Sequence, residues 1–136
     1  MLKQHFNIPK YNWEVDVYYY VTCYYLNEIL SKLRSMGCSD NTLEDAYKNM
    51  SSCKLNTGIT YSNINEHKTL IIISTTSNPA QFLNSLFHEI YHLVTHIEDE
   101  YNINPMSEEA AYLAGNIGYI IFPKARHFLC KCHCKE

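Results

Sequence analysis

The chain has 136 residues, a formal net charge of -3, 46% hydrophobic residues and 18% charged residues. This composition predicts one folded domain with its own core, and it excludes disordered and fibrous chains. The lack of a basic excess argues against a nucleic-acid partner, because few cations could replace phosphate counterions.

The sequence also predicts where the protein acts. Residues 1–16 are polar and do not resemble a signal peptide. No apolar run is long enough for a membrane span, so a membrane partner is not expected. A cytoplasmic protein is therefore expected, in which the six cysteines are free thiols.

Residues 13–50 are predicted to form a helical amino-terminal part. In residues 13–36, apolar side chains recur at spacings of three and four, as on one face of a helix. The strand propensity of residues 17–21 competes with this prediction. A short second helix is expected to follow, capped by Ser39 or Asp40.

Two strands are predicted next, over residues 57–62 and 69–75. The first alternates in polarity, and the second is a β-branched run typical of a buried strand. The short polar stretch between them favours an antiparallel hairpin. The expected fold is therefore α+β, mainly helical with a small antiparallel sheet.

A long helix is predicted to begin at Pro79, with Asn78 as its N-cap. It contains an HExxH motif formed by His88, Glu89 and His92. Histidines four residues apart share a helix face and can bind one metal ion. Zinc is readily bound by neutral imidazole, and Glu89 can act as the general base for a metal-bound water. The motif predicts one Zn²⁺ ion.

A catalytic zinc site needs a third protein ligand from another element. The next helix is expected to run from Glu108, capped by Ser107, to about Phe122, before a proline. Glu109, 17 residues after His92, and its neighbour Glu108 are both candidates, although acidic residues also favour helix N-termini electrostatically. Tyr112, on the same face as Glu109, is a candidate stabiliser of the oxyanion.

Residues of metal-ligating types also occur outside this motif. His96 lies roughly 12 Å along the helix axis from His88, too far to share one ion on a straight helix. It is expected to support the site or to lie at the surface. Cys130, Cys132 and Cys134 are spaced too tightly for the usual zinc knuckle, so thiols without metal are expected there.

Together these residues resemble the gluzincin pattern of the ImmA/IrrE-like metallopeptidases. That pattern is an HExxH followed by a Glu-Ala-Asn-x-Phe-Ala segment that closes on a proline. The second segment here is Glu109-Ala110-Ala111-Tyr112-Leu113-Ala114, which departs from the pattern at Ala111 and Leu113. The resemblance assigns the third ligand to Glu109.

Three segments are similar to segments in small zinc peptidases of bacterial phages and mobile elements. They are Thr57-Gly58-x-Thr60-Tyr61-Ser62-Asn63, Pro79-Ala80-Gln81-Phe82-Leu83-Asn84 and Ser107-Glu108-Glu109-Ala110. The resemblance covers roughly residues 55–123. It implies a minimal metallopeptidase domain over residues 1–136, with a catalytic core at 55–123 and a cysteine-rich tail at 124–136. The chain lacks a DNA-binding helix-turn-helix, which argues against a repressor-cleaving role.

Two functions are therefore expected as alternatives. The first is a zinc-dependent peptidase that cleaves a protein or peptide substrate, with Glu89 as the catalytic base. The second is a non-catalytic, zinc-stabilised interaction or regulatory module of a phage or mobile element. The sequence indicates no particular cleavage specificity or oligomeric state.

Overall fold

The computed structural model describes residues 1–130, which form a sheet flanked by helices. The strands are Leu2–Ile8 (β1), Trp13–Val21 (β2), Gly58–Asn63 (β3) and Lys68–Ser74 (β4). The α-helices are Leu26–Ser35 (α1), Asp40–Ser51 (α2), Pro79–Tyr101 (α3) and Glu108–Ala125 (α4). Short 3-10 turns occupy Pro9–Tyr11, Cys23–Tyr25 and Arg126–Phe128. This is the mainly helical α+β fold that the sequence predicts.

None of these helices combines the length and apolar character needed to cross a bilayer.

The strand order in the sheet is β1-β2-β4-β3. The β3–β4 hairpin is antiparallel, which confirms the prediction for that pair, and β1 is antiparallel to β2. The two central strands, β2 and β4, are parallel, so the expected purely antiparallel sheet is wrong at its centre. A parallel pair needs a long crossover connection, and the segment containing α1, α2 and β3 supplies it.

The predicted helix over residues 13–36 is wrong in its first half, which forms β2. Along β2 the side chains of every second residue are fully buried against one face of the sheet: Trp13, Val15, Val17 and Tyr19. This period of two, with β-branched and aromatic residues, favours a strand held between two neighbours. The helical part predicted for residues 13–50 is confined to α1 and α2.

The sheet separates two apolar cores. One core lies between the sheet and the helices α3 and α4, and the other lies between the sheet and the helices α1 and α2. Alternate side chains of β3 face these two layers. Thr60 and Ser62 bond to residues of α3, whereas Ile59 and Tyr61 pack in the core of α1 and α2. As an edge strand, β3 lies directly beside α3.

The two long helices begin as predicted. The Asn78 side chain accepts a hydrogen bond from the backbone N–H of Gln81, and Pro79 occupies the first turn of α3. The hydroxyl of Ser107 caps α4 in the same way. The predicted end of α4 at Phe122 is wrong, because the helix continues through Pro123 to Ala125. Pro123 has no backbone N–H, so α4 continues past it with one hydrogen bond fewer.

The expectation of six free thiols is also wrong. Cys23 and Cys53 form a disulfide that ties the end of β2 to the segment after α2. Cys130 is also disulfide-bonded. Cys38 is a free, buried thiol. Cys132 and Cys134 lie outside the described residues.

Candidate metal centre

One group of potential metal ligands in residues 1–130 consists of His88, Glu89 and His92, whose ligand atoms all lie within 4.8 Å of one another. The Nε2 atoms of His88 and His92 are 3.3 Å apart. Oε2 of Glu89 lies 3.9 Å from Nε2 of His88. The i,i+4 spacing on α3 therefore brings the two imidazoles together, as the motif predicts.

The two histidine nitrogens have the separation that a metal site requires. Two nitrogens that each lie about 2.05 Å from a tetrahedral zinc ion are about 3.3 Å apart. Both imidazoles are exposed, so an ion could reach them from solvent. The donor set fits zinc, and it also fits other divalent transition metals that bind imidazole.

Glu89 differs from the histidines because it is buried, with 5% of its surface exposed. The Thr60 hydroxyl donates a hydrogen bond of 2.8 Å to Oε1 of Glu89. The backbone of Gly58 lies against the other side of the carboxylate, where a side chain would collide with it. The edge strand β3 therefore fixes the position of this carboxylate and leaves Oε2 facing His88.

The contribution of β3 was missed when the residues of the motif were considered alone. Gly58 and Thr60 both belong to the Thr57-Gly58-x-Thr60 segment that contributes to the family resemblance. The segment that contacts Glu89 was therefore recognised in the sequence, but nothing in its composition indicates that contact. The contact depends on the packing of α3 across the sheet.

Glu109 is not brought to the two histidines, which differs from the sequence expectation. Its carboxylate accepts a 2.6 Å hydrogen bond from the hydroxyl of Tyr11, and Nζ of Lys10 lies 3.4 Å away. The hydroxyl of Tyr101, at the end of α3, donates a hydrogen bond to the backbone carbonyl of Tyr11. Tyr101 lies nine residues beyond His92, about 13 Å along the helix axis. Glu109 is therefore held near the carboxyl end of α3, beyond the two histidines.

The electrostatics of Glu109 follow from these contacts. The hydrogen bond from Tyr11, and then the charge of Lys10, hold the pKa of the Glu109 carboxyl below its usual value. Burial, and then the same hydrogen bond, raise the pKa of Tyr11 to about 12. Glu109 is ionised at neutral pH, and its charge is already partnered.

The other candidates also lie away from the histidines. Glu108 is exposed in the first turn of α4. Tyr112 is 75% exposed and lines a cavity of about 320 Å³ together with Tyr11 and Glu109. The predicted oxyanion stabiliser therefore accompanies Glu109, and the structure does not place it near Glu89.

His96 is half-buried and takes part in a chain of hydrogen bonds. Its Nδ1 lies 2.6 Å from the Ser62 hydroxyl, which lies 2.7 Å from the Thr69 hydroxyl. The indole N–H of Trp13 donates to Thr69. Burial, and then the neighbouring His92, lower the pKa of His96. His96 therefore fastens α3 to the sheet, one turn beyond the candidate ligands.

Neither a known protein family, nor a curated protein, nor a solved structure matches this chain. The geometry of the site is therefore the main support for a function.

Proposed function

We propose that the chain is a zinc-dependent metallopeptidase in which His88 and His92 bind the metal and Glu89 is the general base. The observation that carries the proposal is the 3.3 Å separation of the two Nε2 atoms, with the buried Glu89 carboxylate beside them. The resemblance to the gluzincin pattern supports the same chemistry. A helix face with two ordinary histidines would not need a buried carboxylate fixed by an adjacent strand.

In this proposal each residue of the site has a separate role in peptide hydrolysis. A zinc ion, when bound, polarises the scissile carbonyl and lowers the pKa of the attacking water. Glu89 accepts the proton of that water at Oε2 and later delivers it to the leaving amine nitrogen. Thr60 occupies Oε1 and so keeps Oε2 directed towards His88.

The edge strand β3 suggests how a substrate binds. Among the described strands, β3 pairs only with β4, so its second edge is open to an extended peptide. Addition of a peptide strand at such an edge is a common recognition mode. Since β3 also contacts Glu89, the bound backbone would pass beside the proposed base.

A specific observation favours the second candidate, a non-catalytic zinc-stabilised module. Within residues 1–130, the group that could hold an ion supplies two histidines and Glu89, and Glu109 is bonded elsewhere. A catalytic zinc site usually has three protein ligands and an open position. If Glu109 is the third ligand, as the resemblance implies, α4 must move when the metal binds.

The test is zinc per chain, together with digestion of a broad peptide library with and without a chelator. We expect about one zinc per chain, its loss in His92→Ala, and chelator-sensitive cleavage that disappears in Glu89→Gln while zinc is retained. Glu108→Gln is the matched control and should remain active. Bound zinc with no cleavage would favour the module, and the absence of zinc from a folded chain would rule out both functions.

Glu109→Ala separates two forms of the metal site. In this structure Glu109 is bonded to Tyr11 and is not grouped with the histidines, so this variant should retain zinc. Loss of zinc in Glu109→Ala would mean that α4 rearranges on binding, as the gluzincin pattern implies. Glu108→Ala should retain zinc in either case.

The cytoplasmic location expected from the sequence remains a prediction. The Cys23–Cys53 disulfide argues against it, because disulfides persist mainly in oxidising compartments. Alkylation of free thiols in intact cells, before lysis, distinguishes a reducing from an oxidising location. Protection of Cys23 and Cys53 from alkylation would contradict a reducing location.

A further inference from the structure

A cavity of about 240 Å³ lies between α2 and the end of the sheet. We call it the α2 cavity. Its walls include the Cys23–Cys53 disulfide and mostly apolar side chains: Val21, Met50, Leu55, Ile59 and Ile72. It is smaller than the sites that hold drug-sized ligands. Its size and lining suit one large uncharged side chain.

The α2 cavity adjoins the proposed catalytic carboxylate through two consecutive residues of β3. Gly58 contacts Glu89, and Ile59 packs on the opposite side of the sheet, where it lines the cavity. Successive side chains of a β-strand point to opposite faces. A peptide paired with the open edge of β3 would alternate in the same way. If one of its residues faces Glu89, the next residue faces the α2 cavity.

We infer that the α2 cavity is a side-chain subsite that selects peptides with a large uncharged residue next to the residue that faces Glu89. The preferred residues are Leu, Met, Phe and Tyr. This inference rests on the proposed peptidase function. It assigns a role in specificity to α2 and the disulfide, which lie on the opposite side of the sheet from the histidines.

The first experiment measures cleavage preference with the zinc-loaded full chain and a peptide library. At one position beside the cut, Leu, Met, Phe and Tyr should be cleaved with kcat/KM about tenfold or more above Ala, the scale expected for an apolar pocket. Met50→Trp fills the cavity and should abolish this preference. Met106→Trp is the matched control, because Met106 is 94% exposed and does not line the cavity. Equal preferences in wild type and Met50→Trp would overturn the inference.

A second variant covers the possibility that Met50→Trp does not fold. Leu55→Trp enlarges another side chain in the cavity wall, and Leu55 is 52% exposed, so the folded chain should tolerate the change. It should reduce the preference for large uncharged residues relative to Ala. An unchanged preference in a folded Leu55→Trp variant would overturn the subsite.

A binding measurement separates failure of this inference from failure of the peptidase proposal. N-acetyl-tyrosinamide should shift the methyl resonances of Ile59 and Ile72 in the Glu89→Gln variant, whereas N-acetyl-glutamic acid amide should not. Shifts without any cleavage by wild type would support the ligand class and overturn the peptidase function. Cleavage without these shifts and without the side-chain preference would overturn the subsite.

Discussion

Gly58 lies so close to Glu89 that a Cβ atom on residue 58 would be 2.7 Å from Oε2 of the carboxylate. Its distance to Cδ would be 2.9 Å. The Glu89 side chain is buried and bonded to Thr60, so it has little freedom to yield. A glycine in the edge strand is therefore a condition for the position of the proposed base.

Gly58→Ala should reduce peptidase activity without loss of zinc. The three atoms nearest to the added methyl group all belong to Glu89, so the methyl group should displace this carboxylate and turnover should fall towards the level of Glu89→Gln. Activity and zinc content of the same preparation would test this. Gly115→Ala is the control, because a Cβ there meets no atom within 4 Å. It should leave activity unchanged and stabilise α4 by about 0.5–1 kcal/mol. Full activity of Gly58→Ala would show that the carboxylate is mobile or not required.

The raised pKa of Tyr11 predicts a loss of stability at alkaline pH. Tyrosine in the unfolded chain loses its proton near pH 10, whereas Tyr11 in the folded chain keeps it until about pH 12. In this window the unfolded state binds fewer protons, so the free energy of unfolding falls as pH rises. The stabilisation is fully present below pH 10 and disappears above pH 12.

Urea unfolding across this pH window would test the prediction. Wild type should lose stability that Tyr11→Phe does not lose, so the two curves should approach each other. Tyr24→Phe is the control, because Tyr24 is 86% exposed, and its curve should run parallel to that of wild type. A constant difference between wild type and Tyr11→Phe would contradict the raised pKa.

The disulfide should contribute strongly to stability. Cys23 and Cys53 are separated by 30 residues. A disulfide that closes a loop of this length lowers the entropy of the unfolded chain and stabilises the folded state by about 3.6 kcal/mol. Cys53→Ser should lower the free energy of unfolding by about this amount. The Cys23→Ser/Cys53→Ser double variant should be no less stable than the single variant, since one bond is lost in both. Stability unchanged in both variants would mean that the bond adds nothing to the folded state.

The hydrogen-bond chain from Trp13 predicts the tautomer of His96. The indole N–H can only donate, so Thr69 accepts there and its own hydroxyl proton is available to Ser62. Ser62 then donates to Nδ1 of His96, and the neutral ring carries its hydrogen on Nε2. Nitrogen-15 chemical shifts would identify the tautomer. In Ser62→Ala this preference should weaken, whereas an Nδ1–H tautomer in wild type would mean that the chain runs the other way.

The features predicted correctly from the sequence are those set by local rules. The β3–β4 hairpin and the Asn78 cap follow from patterns within a few residues. The meeting of His88 and His92 follows from helix geometry alone. Such patterns do not depend on what the segment packs against, so the local structures that they predict are found in the fold.

The features that were missed depend on partners distant in sequence. Residues 13–21 combine the spacing of a helix with the propensity of a strand. They form a strand because β1 and β4 hydrogen-bond to its two edges. Likewise, Glu109 fits a family pattern by spacing. Its position is decided by Tyr11, which lies 98 residues earlier and which no local pattern connects to it.

The parallel pairing of β2 with β4 also determines the order in which the protein can fold. Val15 pairs with Thr69, so the central contact of the sheet joins segments far apart in the chain, and such topologies fold slowly. The surface on which α3 docks contains Val15 and Val17 from one strand and Ile71 and Ile73 from the other. It is complete only after this pairing. A fragment limited to residues 55–123 would contain both histidines but only half of that surface, so we expect that the segment that resembles a peptidase does not fold on its own.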